Sequence, residues 1–213
     1  MPNPGLGNIG PEQDWVTKRQ VGLLLVGVAG NFLAVLALAT ARVPEYSVRT
    51  DAISDLGVHP ETALLFNGSL LVVGTLNLLA GYHFHRVHRH RWLLVTYTAA
   101  SIGVAGVGLF PLGSGPLHEL FAFVAFLFFN LEAIGSGLQV TGSVRQFSVL
   151  AGAVGLAFLV AFVLGGSGLP AVFGPFGYGG TERMIVYPTL LWALVFGGFL
   201  LGAAQKPMEN APG

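Results

Sequence analysis

The chain has 213 residues, of which 53% are hydrophobic and only 9% are charged, and its mean hydropathy is +0.70. An ordinary soluble domain carries about 25% charged residues, so this composition excludes a soluble globular protein. Ten basic and ten acidic residues give no net charge, which indicates no nucleic-acid partner, and the absence of cysteine excludes disulfide bonds and thiolate metal sites.

Three regions follow from the distribution of polar residues. Residues 1–17 are polar and rich in Pro and Gly, without the pattern of a cleaved signal peptide, and are predicted to form a mobile N-terminal tail. Residues 18–205 form the predicted membrane domain, and residues 206–213 form a C-terminal tail.

Six apolar runs are each long enough to cross a hydrocarbon layer of about 30 Å at ~1.5 Å per residue. They cover approximately residues 20–41, 61–82, 92–110, 117–140, 147–164 and 182–203. The sequence therefore predicts an all-α, polytopic integral membrane protein, built as a six-transmembrane-helix bundle in the cell membrane.

The basic residues predict the orientation of this bundle. With the N-terminus in the cytoplasm, seven Lys and Arg side chains lie on the cytoplasmic side and three lie outside, as the positive-inside rule requires. The cytoplasmic residues are Lys18, Arg19, Arg86, Arg89, Arg91, Arg145 and Lys206, and the outer ones are Arg42, Arg49 and Arg183. Both termini are therefore predicted to be cytoplasmic.

The first outer connection, residues 43–60, is predicted to contain a short amphipathic helix on the membrane surface. At 100° per residue its polar and apolar side chains separate into two faces. The polar face comprises Ser47, Asp51, Ser54 and Asp55, and the apolar face comprises Val48, Ala52 and Leu56.

Small and polar residues within the spans indicate how the helices pack. Lipid supplies no hydrophobic drive between helices, so close backbone contact at glycines is expected to hold them together. The glycines in question include Gly30, Gly74, Gly81, Gly103, Gly106, Gly152, Gly155, Gly198 and Gly202. Asn31, Asn67 and Asn77 are expected to add interhelical hydrogen bonds, each contributing about 0.6 kcal/mol.

The run His83 to Arg91 alternates four histidines with three arginines. Metal binding is disfavoured because the dication would lie beside like charges, so the run is interpreted as a basic patch that attracts anionic lipid headgroups. No metal and no cofactor is predicted for the protein.

Glu132 is the one acidic residue placed deep inside a span. Desolvation favours its protonated form, since no basic residue lies within a span to pair with it. It either relays protons or is a neutral group satisfied by a neighbour such as Asn31 or Asn77.

Polar residues from three outer connections are predicted to converge on one outward-facing site. Its binding residues are Tyr46, Ser47, Asp51, Asp55, His118, Glu182 and Arg183. For a catalytic role the candidates are His118, Asp51, Asp55 and Ser54, with His59 and Glu119 near by. Arg183 is expected to pair with the carboxylate of Asp51 or Asp55. A purely structural reading stays open, in which the two aspartates cap helices and pair with Arg49 or Arg183.

Several short motifs resemble the prokaryotic membrane family catalogued as domain of unknown function 998, over nearly the whole chain. These are Tyr46-Ser47, Ser54-Asp55-Leu56-Gly57, Phe66-Asn67, Phe110-Pro111, His118, and Gly-x-x-Glu182-Arg183 leading into a span with Trp192. The resemblance implies a six-span prokaryotic membrane protein and no assigned activity.

Two functional classes remain. The first is a protein whose outer polar pocket binds or transports a lipid or a small molecule. The alternative is a membrane-embedded hydrolase that acts on a lipid with outer His and Asp residues. The spans contain no lysine, which excludes a retinal-type Schiff base, and the sequence has neither a nucleotide-binding loop nor a nucleophile elbow. Membrane lipids are the expected partners, and the sequence does not indicate an oligomeric state.

Overall fold

The computed structural model describes residues 11–88 and 90–204, with side chains for residues 15–86 and 90–204. Over these residues the chain is helical apart from its connections and contains no β-strand. Six long helices form the fold: α1 (Pro11–Arg42), α2 (Ala63–His88), α3 (Arg91–Leu109), α4 (Pro116–Gly137), α5 (Ser143–Gly166) and α6 (Gly177–Ala203). Each is long and apolar enough to cross a membrane, which confirms the predicted all-α bundle of six helices.

The helix ends follow local backbone chemistry. Gly115 and Gly142 precede α4 and α5 with φ of +71° and +75°, a conformation that glycine adopts at little cost, and Pro116 then occupies the first turn of α4. Helix α1 begins at Pro11, so residues 11–17 are helical although they were assigned to the tail. Residues 1–10 of the predicted N-terminal tail and the whole predicted C-terminal tail, residues 206–213, lie outside the described residues.

Neighbouring helices in the chain pack side by side, and α6 returns to pack against α1, so the bundle closes on itself. Helix α4 also contacts α6. The connections after α1, α3 and α5 lie at one end of the bundle, which we call the site end. With an even number of spans, the start of α1 and the end of α6 lie at the opposite end.

Glycines allow close contacts between helices. Some of these glycines were not among those predicted, and some predicted glycines make no such contact. A Cβ added at Gly22 of α1 would lie 2.8 Å from the carbonyl oxygen of Gly197 on α6, so these two backbones touch. Gly103 of α3 meets the backbone of Ala125 on α4 in the same way. The assignment of Gly30, Gly198 and Gly202 to packing contacts is wrong, because a Cβ at any of them would meet nothing within 4 Å.

The helix in the first connection is shorter than the amphipathic pattern suggested. It is a 3-10 helix, Ile53–Gly57, with Ile53 and Leu56 buried, whereas Val48 lies outside it and is 50% exposed. The carboxylate of Asp51 accepts a hydrogen bond of 2.8 Å from the Ser47 backbone, and such side-chain bonds compete with regular helix. Turns therefore occupy the first half of the connection.

Aromatic side chains fix the connection between α5 and α6. This segment contains a second 3-10 helix, Pro170–Phe176, and the rings of Phe162 and Tyr178 lie 4.9 Å apart beside it. Helix α6 begins at Gly177, five residues before the predicted span near residue 182, and the Thr181 hydroxyl donates to the Gly177 carbonyl at 2.8 Å inside the helix. The connection is a packed element of the site end.

Candidate functional site

Arg183 is the central contact between the first connection and α6. Its side chain is 3% exposed, and Nη1 donates to the carbonyl oxygens of Val48 at 3.0 Å, Asp51 at 2.9 Å and Gly179 at 2.9 Å. The prediction that Arg183 pairs with the carboxylate of Asp51 or Asp55 is wrong. No carboxylate oxygen in residues 15–86 or 90–204 forms a salt bridge with Arg183, and its guanidinium donates to the backbone carbonyl of Asp51 instead. Arg183 thus holds a polar loop against the bundle through the loop's backbone.

Tyr46 completes the contacts of this arginine. Its hydroxyl accepts a hydrogen bond from Nη2 of Arg183 and donates to the Ala52 carbonyl at 2.8 Å. The guanidinium carbon also lies 5.3 Å from the centre of the Tyr46 ring, within the range of a cation–π contact. Burial raises the pKa of Tyr46 to about 12, and the opposing effect of Arg183 is smaller. The phenol therefore stays protonated and keeps its donor role.

The acidic residues of the site end bind backbone amides. Glu182, which is 4% exposed, accepts a hydrogen bond of 2.7 Å from the Ile53 amide, and Asp55 accepts one of 2.7 Å from Ala52. Asp51 accepts from the Ser47 amide at 2.8 Å and from the Thr50 hydroxyl at 2.9 Å, and these bonds hold the pKa of Asp51 below its usual range. The aspartates therefore stabilise the shape of the first connection.

His118 occupies the first turn of α4 and is 5% exposed. Its Nδ1 lies 2.9 Å from the Phe110 carbonyl, and since a carbonyl only accepts, Nδ1 carries the hydrogen. In the neutral ring the lone pair is then on Nε2. That atom is the one available to accept a proton or bind a ligand.

A cavity of about 100 Å³ runs down the centre of the bundle. It is lined by residues of the first connection and of α1, α2, α3, α4 and α6. Its apolar walls include Val28, Phe32, Leu70, Val73, Val104 and Phe129. Ser54, His118 and Glu182 line it near the site end, whereas Asn77, Glu132 and Trp192 line it deeper in the bundle. Glu132 follows His118 on α4 by 14 residues, which corresponds to about 21 Å along the helix.

Glu132 belongs to a polar network at the deep end of this cavity, with Asn77 at its centre. Asn77 donates to the Oε2 atom of Glu132 at 3.0 Å, as the sequence suggested for one of the two asparagines, and Tyr97 shares a hydrogen bond of 3.0 Å with Ser136 one turn further along α4. Asn31, the other candidate, donates instead to the Ser69 carbonyl at 3.3 Å. The network joins α2, α3 and α4.

Some buried polar atoms on residues that line the cavity have no hydrogen-bond partner. They are Oδ1 of Asn77, Oε1 of Glu132, Nε1 of Trp192 and Oδ1 of Asn130. Buried polar groups are normally satisfied, so such atoms beside a cavity suggest a polar occupant. The Asn130 amide differs from the other three groups because it packs against Gly155 of α5.

The predicted site residues separate into two groups. Tyr46, Ser47, Asp51, Asp55 and Arg183 build and anchor the first connection, whereas Ser54, His118 and Glu182 line the cavity. Glu119 is exposed, and the half-buried His59 lies 3.7 Å from the exposed Glu45. Among the side chains of residues 15–86 and 90–204, no group of three His, Asp or Glu is placed to hold a metal ion.

Sequence reasoning did not assign Trp192 and Thr189 to the site. Both line the cavity, on the same face of α6 as Glu182 and Ile185. Their spacing of three to four residues follows one face of a helix, and that periodicity was the signal available.

These six apolar helices around a central cavity define a multi-pass α-helical membrane protein. Residues 6–198 match the family described as "Protein of unknown function (DUF998)", and the chain belongs to that family. This match confirms the resemblance seen in the sequence motifs. Comparison with curated proteins and with solved structures found no match.

Proposed function

We propose that this protein, in the cell membrane, binds a lipid or an amphiphilic small molecule in the central cavity. The observation that supports this function is the cavity's composition: apolar walls from five helices, with polar side chains near the site end and at the deep end. Ligand sites typically combine an apolar lining with a few placed polar groups. The space of about 100 Å³ exceeds the roughly 10–15 Å³ that one water needs.

The apolar part of the ligand would lie against residues such as Val73 and Phe129, and its polar groups would meet either end of the cavity. At the site end these groups are Ser54, His118 and Glu182, the three predicted site residues that line the cavity. Transport of a ligand also begins with its binding, so the proposal applies to a transporter as well as to a binding protein.

A matched pair of neighbouring valines tests the proposal. Val73 lines the cavity and is 4% exposed, whereas Val72 is 45% exposed on the outer face of the same helix. Val73→Phe should fill the cavity, and Val72→Phe should leave it open. Mass spectrometry of small molecules retained after purification in mild detergent should find the same molecule in wild type and Val72→Phe, and its loss in Val73→Phe. Equal occupancy in the two variants, or no retained molecule in wild type, contradicts the proposal.

The geometry of His118 supports the alternative, a lipid hydrolase. Its Nδ1–H is held by the Phe110 carbonyl, so Nε2 has the lone pair that a general base needs, in the same cavity as Ser54. Release of a cleaved lipid product from vesicles, abolished by His118→Gln, would establish the hydrolase. A retained lipid without cleavage favours the binding protein.

A further inference from the structure

The deep end of the cavity presents two oxygen atoms without partners. Glu132 and Asn77 each have no exposed surface, and the Asn77 amide donates to Oε2 of Glu132 at 3.0 Å. The other oxygen of each group, Oε1 of Glu132 and Oδ1 of Asn77, has no hydrogen-bond partner. Both residues line the cavity, so its deep end carries one unsatisfied oxygen from each.

No cationic side chain of residues 15–86 and 90–204 forms a salt bridge or hydrogen bond with Glu132. In the described part of the chain its one hydrogen-bond partner is Asn77. The polar groups around the Glu132–Asn77 pair are Tyr97 and Ser101 of α3, which accept from Asn77 through a carbonyl and a hydroxyl oxygen, and Ser136 of α4, which bonds to Tyr97. Trp192 of α6 lines the same cavity. Of these side chains only Tyr97 has a titratable group. A fully buried carboxylate without a cation is strongly disfavoured, so the free protein holds the neutral acid.

We propose that Glu132 and Asn77 bind the ammonium group of a primary or secondary alkylamine, in exchange for the proton of Glu132. Such an ammonium group has two or three N–H donors, which match the acceptors Oδ1 and Oε1 once Glu132 has lost its proton. The apolar walls accommodate the alkyl chain, and Trp192 adds an aromatic ring to the same cavity. The inference rests on the proposed function and specifies its ligand class.

The exchange conserves charge inside the bundle. The neutral carboxylic acid loses one proton to water as one ammonium cation enters, so a neutral site becomes a neutral ion pair. The costly state, a single charge in an apolar interior, is avoided at both stages. While Glu132 is protonated in the free protein, amine affinity should fall about tenfold for each pH unit by which the solution is acidified.

Three probes with the same ten-carbon chain separate the contributions of positive charge and of N–H donors to binding. Decylamine offers a cation with N–H donors, decyltrimethylammonium offers a cation without them, and decanol is neutral. Calorimetric titration of the protein in lipid nanodiscs, repeated in two buffers of different ionisation enthalpy, gives both the affinity and the number of protons released. Decylamine should release one proton from wild type and bind at least about tenfold more tightly than decyltrimethylammonium.

Glu132→Gln should bind decanol as wild type does, lose at least about tenfold in decylamine affinity and release no proton. Undiminished decylamine binding by this variant overturns the inference. If wild type binds decanol but prefers no amine and releases no proton, the inference fails and the proposed function stands. If none of the probes binds, both fail. The proton count in wild type needs no variant, so the test does not depend on folding of Glu132→Gln.

Discussion

The Nδ2 atom of Asn77 lies 3.0 Å from Oε2 of Glu132 and joins α2 to α4 where neither residue has any exposed surface. The same Nδ2 lies 3.4 Å from the Tyr97 carbonyl and 3.3 Å from the Ser101 hydroxyl on α3. One amide therefore links three helices. In a bilayer core no water replaces a lost bond, so this amide is a structural element as well as part of the cavity.

Asn77→Ala should lower the free energy of unfolding by about 1–3 kcal/mol, because it leaves buried polar atoms unsatisfied. Glu132→Gln should cost less than about 1 kcal/mol, since the amide keeps the shape and an oxygen that accepts from Asn77. Thermal unfolding in detergent, followed by fluorescence of the three tryptophans, measures both. Thr75→Ala on the exposed face of α2 is the control and should change stability by less than about 0.5 kcal/mol. A Glu132→Gln variant less stable than Asn77→Ala contradicts this assignment.

Gly179 of α6 is in close contact with the first connection. Its amide donates to the Arg49 carbonyl at 2.9 Å, and an added Cβ would lie 2.2 Å from the Asp51 carbonyl oxygen. Gly179→Ala should therefore displace the first connection and lower the free energy of unfolding by about 1–3 kcal/mol. Gly198→Ala, in the same helix with nothing within 4 Å, should be neutral or slightly stabilising.

Trypsin cleavage after the exposed Arg49 provides a second measurement of the loop's position. The cleavage rate should rise in Gly179→Ala and stay at the wild-type value in Gly198→Ala. Equal rates and equal melting temperatures in the two variants would mean that the loop does not depend on this contact.

The six helices could be predicted because apolar runs of membrane-spanning length have few alternatives in lipid. Glu132 was identifiable for the same reason, as a carboxyl group in an apolar run, and Asn77 was one of two expected partners. What the sequence motifs do not reveal is that their members contact one another. Asn67 donates to the Gly57 carbonyl at 2.7 Å, and His118 bonds to the Phe110 carbonyl.

The partner of Arg183 could not be predicted, because backbone carbonyls have no signature in the sequence. A charge-based argument favours a carboxylate, yet the folded loop turns the carbonyls of Val48 and Asp51 toward the guanidinium. The start of α6 was missed for a related reason. Gly177, Gly179 and Gly180 lie before the apolar run that begins near residue 182, yet in the structure they belong to the first turn of the helix, where their small size admits the backbone of the first connection.

The hydrogen bonds of Asp51 predict a pH dependence. The Ser47 amide and the Thr50 hydroxyl stabilise the carboxylate and lower its pKa. The stabilisation should be fully present above the unfolded value of about 3.9 and be lost as the pH falls through the lower folded value. Asp51→Asn should therefore melt below wild type at pH 7, and the two melting curves should converge as the solution is acidified below about pH 4. A difference that stays constant down to pH 3 would contradict the role of this carboxylate.

The orientation of the bundle is tested by single cysteines, which are unambiguous reporters because the chain has none of its own. Ser54, Ser114 and Ser167 lie at the site end, and Val87 and Ser143 are at the opposite end. Because Lys18, Arg19, Arg86, Arg91 and Arg145 lie toward that opposite end, against three basic residues toward the site end, we expect it to face the cytoplasm. In intact cells an impermeant thiol reagent should modify cysteines at the exposed positions 114 and 167, and more slowly at the half-buried position 54. Cysteines at positions 87 and 143 should react only after the membrane is permeabilised, and the reverse pattern would place the cavity's polar site end in the cytoplasm.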